Sequence, residues 1–168
     1  MSLLIPSGSG GAGVDKFYKK VSEIVLTSSA TEIIVSNLNL DTCDIFYNLI
    51  NTSGSSIIMD IQFSADNGAT FVSPDWYGVI ITSTGAIDKW NGGAGYLKNS
   101  SKLWGKSEVK KIGNDVYINN PTRSDSNNRW RHMQGFIKNF TQQITDIKIT
   151  ASVGSFDVNS IVQVYGVK

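Results

Sequence analysis

Short runs of alternating apolar residues, each closed by a cluster of Gly, Asn, Ser or Asp, recur along the chain from Phe17 onward. A side-chain period of two sends successive residues to opposite faces of a strand, so such runs bury one face and wet the other. The cleanest run is Ile57, Met59, Ile61 and Phe63, interleaved with Ile58, Asp60, Gln62 and Ser64. A second sets Ile147, Ile149, Ala151 and Val153 against Lys148, Thr150 and Ser152. Isoleucine (19) and valine (13) outnumber leucine (8) and alanine (7). β-Branched side chains lose rotamer freedom on a helix and pack well on a pleated surface. No window sustains a helical-period apolar stripe. The expectation is an all-β fold, an antiparallel β-sandwich or barrel, with an extended N-terminal arm. Strands are expected at 18–27, 32–37, 44–51, 56–64, 76–82, 102–111, 115–119, 131–140, 146–153 and 161–167. The segment 85–128, rich in Gly, Asn, Ser and Lys, reads as long loops on one side of the sandwich.

At 168 residues one domain is the default, here residues 17–168 preceded by an arm at 1–16. The arm joins an apolar tip, Leu3, Leu4, Ile5 and Pro6, to a Gly/Ser tract. Segments of this composition are flexible linkers unless something ties them down. Docking on a neighbouring subunit or partner is one reading, and lying along its own domain is the other. Fifteen basic residues against fourteen acidic ones, a net charge of +1, supply no concentrated basic surface, so nucleic acid and anionic membrane are poor partners. No stretch approaches the ~20 apolar residues of a membrane span, and the first residues lack the pattern of an export signal. Cys43 is the only cysteine, so the chain builds neither an internal disulfide nor a thiolate zinc site. No metal site or other cofactor is expected.

The most specific local motif is Ser64-Ala65-Asp66-Asn67-Gly68-Ala69-Thr70-Phe71, an Asp box. Asp66 and Asn67 tolerate turn conformations, Gly68 supplies positive φ, and Phe71 is expected to fold onto the core. Asp boxes resemble those repeated in sialidase propellers, but a propeller needs several blades, and here one copy reads as a structural hairpin formed by Ser64, Asp66, Gly68 and Phe71. Ser64 and His132 lack the surroundings of a nucleophile and its base. Glu occurs only at 23, 32 and 108, and no carboxylate pair stands out as the facing couple that glycoside hydrolysis needs. No enzyme is expected. Arg123, Arg129, Trp130, Arg131 and His132 form the densest cationic stretch. It reads as a solvated loop entering a strand, with stacking on a base or sugar as the other reading. Trp76, Tyr77, Trp90, Tyr96 and Trp104 suggest either an aromatic platform for a glycan or a cap on the core or on an intersubunit seam. Three Asn-x-Ser/Thr patterns, at Asn51, Asn99 and Asn139, fit the glycosylation acceptor but mean little without export.

The ordered series 20–27, 31–38, 44–51 and 59–71, with the closing segments 144–149, Gly154-Ser155-Phe156 and 160–168, is similar to tailed-bacteriophage virion proteins. Such proteins close on a strand pair ending in Tyr-Gly, here Tyr165-Gly166. The resemblance covers most of 18–168 and rests on turn and strand patterns. It implies an antiparallel β-sandwich, jelly-roll-like, serving as a capsid decoration, head-fibre or tail component located in the virion, and it transfers no catalytic residue. One usual Gly is replaced by Asn159, a residue that tolerates the left-handed region better than most. The expected function is a phage structural protein, assembled as a homo-oligomer with a trimer favoured and attached to other virion proteins through Leu3, Leu4, Ile5 and Pro6. The alternative is a receptor- or glycan-binding module of a fibre, using Trp76, Trp90, Tyr96 and Trp104 on host-surface glycan.

Overall fold

A computed structural model describes residues 18–81, 87–90, 93–97, 100–124 and 129–166. Among the described residues there are strands and no helix. Eight strands build two four-stranded layers. One layer runs in the order β1 (Lys19–Val25), β12 (Ile161–Gly166), β3 (Thr42–Asn51), β8 (Ser101–Ile112). The other runs β2 (Glu32–Val35), β11 (Asp146–Ala151), β4 (Ile57–Ser64), β7 (Gly95–Leu97). All pairings are antiparallel, and successive strands of these eight lie in opposite layers at every step except from β4 to β7. This strand order is that of a jelly roll; the alternation and turn spacing point to the β-sandwich. The first layer then continues past β8 through β9 (Asp115–Ser124), β10 (Arg129–Ile137), β5 (Asp75–Ile81) and β6 (Ile87–Trp90), giving an eight-stranded sheet.

The two inner faces make one core. Ile45 and Leu49 of β3, Leu103 and Val109 of β8, and Val162 and Val164 of β12 face Ile33 and Val35 of β2, Ile147 and Ile149 of β11, and Ile57, Met59, Ile61 and Phe63 of β4. Burying each such side chain contributes about 1.5–3 kcal/mol, offset by the entropy of ordering the chain. Cys43 lies in this core, and burial pushes its thiol up to about 12, so it stays a neutral, inert thiol.

β7 and β4 of the smaller sheet meet the extension, β4 through Asp60 on the Trp76 indole, and buried polar side chains join the apolar ones there. The Tyr47 hydroxyl donates to Asn120 Oδ1 (2.5 Å), Ser107 donates to the same oxygen (3.0 Å), and Asn120 Nδ2 donates to the Ala94 carbonyl (2.8 Å). Arg131, also buried, donates from Nη1 to the Tyr96 carbonyl (2.9 Å), with its guanidinium carbon 4.7 Å from the centre of the Tyr96 ring. Side chains from β9 and β10 thus satisfy carbonyls flanking and within the short edge strand β7, which a sheet otherwise leaves open. Room for the Tyr47 ring exists because its cross-strand partner is Gly105, where a β-carbon would stand 2.2 Å from the hydroxyl.

Each of the ten expected strand positions holds a strand. β6 and β7 were not anticipated, and 85–128 is a correction: β8 and β9 fill much of it and β7 lies within it, so it is not a set of long loops. β7 has three residues and no alternating run of its own; tertiary hydrogen bonds make it a strand. β9 runs past the expected end at 119 and through Pro121 to Ser124. The proline is tolerated because the β8–β9 pairing lapses between Gly105↔Thr122 and Glu108↔Asn119, while β10 still pairs there. Asn159 has φ 67°, so Asn does hold the left-handed turn where the resembling proteins carry Gly. Gly105→Ala is expected to destabilise the fold by about 1–3 kcal/mol through overpacking against Tyr47. Urea unfolding checks this, and Gly105→Ala combined with Tyr47→Phe should recover part of the loss.

Candidate functional site

The outer face of the eight-stranded sheet carries the side chains that alternate away from the core. Where β5, β10, β9 and β8 lie side by side, the register aligns Tyr77 with Gln134, Gln134 with Asn119, and Asn119 with Glu108. The neighbouring row aligns Phe136 with Tyr117 and Tyr117 with Lys110. These two rows line an open groove of about 630 Å³. Tyr77 is 65% and Tyr117 44% exposed, so neither ring is spent on the core. The rings of Tyr117 and Phe136 tilt against each other with centroids 4.8 Å apart, which fixes one apolar wall.

Polar groups hold the groove's floor in place. Lys106 bridges two carboxylates that the β3–β8 register sets opposite one another, Asp44 at 2.8 Å and Glu108 at 2.9 Å. Hydrogen bonds from Lys106 and Asn119 hold the Glu108 carboxyl below the usual carboxylate range, and the bonds to Asp44 and Glu108 raise Lys106. The exposed His132 ring pairs through Nε2 with Asn119 Oδ1. Beyond Lys106 the same face continues as an aromatic ladder. Lys106 sits 5.6 Å from the centre of the Phe46 ring, Phe46 meets Tyr165 edge-on at 5.3 Å, and Tyr165 stacks on Tyr18 at 6.5 Å. A smaller groove of about 290 Å³ lies between Trp104, Asn48, Phe46 and Gln163.

Of the four aromatics expected to act together, the three whose side chains are described, Trp76, Tyr96 and Trp104, do not share one face. Trp76 is 7% exposed, and its indole N–H donates to Asp60 Oδ1 at 2.7 Å. It lies on the inner face against Gly135, where a β-carbon would come within 2.9 Å of the ring. Trp104 is 41% exposed on the opposite, outer face. Tyr96 belongs to the other sheet and stacks on Arg131. Trp90 falls in β6, and its side chain lies outside the described residues, as do Leu3, Leu4, Ile5 and Pro6 of the arm. Arg131 is no solvated side chain: it is buried, and its charge is met by a carbonyl and a ring. Ser64 and His132 do not meet, since Ser64 is in the smaller sheet and its hydroxyl belongs to the Asp box. Sequence reading passed over Tyr117, Asn119, Gln134 and Phe136 because each is an ordinary outward residue of its own strand. Their signal was present as alternation, but only strand pairing collects them.

No protein-family model matches this chain, and a search of curated proteins finds no significant match.

The Asp box is a closed structural turn. Ser64 Oγ donates to Asp66 Oδ1 (2.6 Å) and accepts from Gly68 N (3.0 Å), while Thr70 donates to Asp66 from its N (2.9 Å) and its Oγ1 (2.6 Å). Asn67 and Gly68 take φ 56° and 81°, and Phe63 and Val72 exchange backbone bonds at the base. Phe71 departs from expectation. It is half-buried, with Lys148 Nζ 4.2 Å from its ring centre, and Lys148 alternates outward between Ile147 and Ile149. The ring therefore covers the outer face of the smaller sheet, outside the core. The hydrogen bonds from Ser64 and Thr70 lower Asp66 to about 2 from its ordinary 3.8. A carboxyl lowered by folding stabilises the fold fully above its unfolded value and loses that contribution as pH falls through the folded one. Asp66→Asn is expected to lower the melting temperature at pH 7. The gap to wild type should narrow as pH falls from 3.8 through about 2, which melting curves across that range measure.

Proposed function

We propose that this chain is a structural protein of a tailed-bacteriophage virion, a capsid decoration, head-fibre or tail component that assembles through Leu3, Leu4, Ile5 and Pro6. The reading rests on the resemblance carried by 20–38, 44–71 and 144–168. A jelly roll with a mostly apolar core suits it: such a module makes its contacts on its faces and edges. Its main structural support is the outer face of the larger sheet, where Phe46, Trp104, Ile112 and Tyr117 stand well exposed along neighbouring strands. Apolar side chains gathered on one face are a feature of contact surfaces more than of solvated ones.

The strand that follows the leader in sequence, β1, lies at the edge of the larger sheet, and Tyr18 beside it is 47% exposed. An apolar tip tethered to an edge strand adds buried area on a neighbour without demanding rigid-body alignment of the domain. Symmetric copies, a trimer in the favoured form, then multiply a modest contact through avidity. Deletion of residues 2–13 is expected to leave the melting temperature of the domain unchanged and to abolish its incorporation into particles. Gel analysis of purified virions checks this, and normal occupancy by the truncated protein would refute the reading.

A further inference from the structure

We propose that the groove across β5, β10, β9 and β8 binds a neutral oligosaccharide. This goes beyond the assembly reading and does not depend on it. The proposal stands on the chemistry of the two rows. Tyr77, Gln134, Asn119 and Glu108 form a straight row across four strands, three inter-strand steps or about 14 Å long. Tyr117 and Phe136 form an apolar wall beside it. A sugar ring has the matching duality: C–H faces that pack on aromatic rings, and equatorial hydroxyls that each donate and accept. The exposed Gln134 amide offers a donor and an acceptor side by side, while Asn119 and Glu108, already bonded to His132, to each other and to Lys106, have only their remaining hydrogen-bonding capacity to give. A mostly apolar wall with a few placed polar groups is how small-ligand sites combine burial with orientation.

Charge selects among occupants. Glu108 and Lys110 offset each other within the lining, Lys106 is held by Asp44 and Glu108, and Lys138 stands over the Phe136 ring 5.9 Å from its centre, so an anionic glycan or a nucleic acid finds scattered cations there and no concentrated basic surface. A second copy of this chain fits less well than a sugar. The middle of a protein interface is depleted of charged groups, whereas here Glu108 and Lys110 would both be desolvated. A polyol satisfies the same groups while leaving water at the rim. The volume of about 630 Å³ lies in the range of small-ligand sites, suited to two or three sugar units.

The residues assigned here differ from the tryptophans that the sequence singles out. Trp104 lies on the same face, in the smaller groove, and therefore serves as the internal control. The experiment titrates the full chain with a panel of uncharged oligosaccharides of two to four units, built from glucose, galactose, mannose or N-acetylglucosamine, by calorimetry and on a glycan array. The expected result is binding of at least one member, weakened about tenfold or more by Tyr117→Ala and again by Gln134→Ala. Tyr117→Phe should stay within a few-fold, because the ring face and not the hydroxyl makes the contact. Trp104→Ala should leave the affinity within about twofold. Melting curves confirm that each variant is folded, and Gln134→Ala, an exposed polar truncation, keeps the test open should Tyr117→Ala prove unstable. The proposal is overturned by no binding of any panel member at millimolar concentration, by binding that survives both groove variants, or by binding confined to sulfated or sialylated glycans. Self-association that Tyr117→Ala abolishes, without sugar binding, would assign the face to a second copy and overturn it equally.

Discussion

A sheet of eight strands packed on a sheet of four leaves part of its inner face without an apolar partner, and most of the distinctive features of this protein follow from that mismatch. Within the jelly roll proper the core is closed by β-branched and Leu side chains from both layers. From β8 outward the interior mixes apolar side chains such as Ile118 and Met133 with polar ones: Ser107, Asn120 and Arg131 are buried, and hydrogen bonds must meet them because a buried unpaired group costs about 1–3 kcal/mol. The bonds they make reach across to the β7 region, so the same side chains that solve the problem of the overhang also tether the edge of the smaller sheet.

The mismatch also shapes the outer face. Because β9, β10 and β5 extend the sheet sideways, their outward residues lie beside those of β8 on one continuous surface. Trp76 and Met133 fill the inner side of these strands against Gly135 and Gly78, which releases the outward Tyr77, Gln134 and Tyr117 from any packing duty. A groove with exposed aromatic walls and amide groups is the result. The Lys106 bridge between Asp44 and Glu108 joins it to the aromatic ladder of Phe46, Tyr165 and Tyr18, so the surface offered for contact spans nearly the whole sheet.

Much of the fold was legible from residues alone. The alternation at Ile57–Phe63 and Ile147–Val153 assigned inward and outward faces correctly through Ile149, and the Asp box signalled its hairpin down to the left-handed Gly68. Reading failed where local pattern and tertiary context disagree. β7 carries no run to detect, β9 passes through a proline, and Phe71, expected on the core, lies over the outer surface, while Trp76, open to either reading, enters the interior. Aromatic residues are ambiguous in this way because their area suits either a core or a binding surface, and composition does not choose between them.

Strand phase is a local property: a period of two in side-chain polarity dictates which residues point inward whatever the strand's neighbours turn out to be. The all-β class, the hairpin at Asp66 and the outward direction of Tyr117 and Asn119 were therefore written in the chain. Neighbourhood is not local. Residues 77, 108, 119 and 134 share a row only because β5 crosses to pair with β10, and hydrogen bonding between backbones selects that partner through the closing of the whole sandwich. The groove came into being at that step.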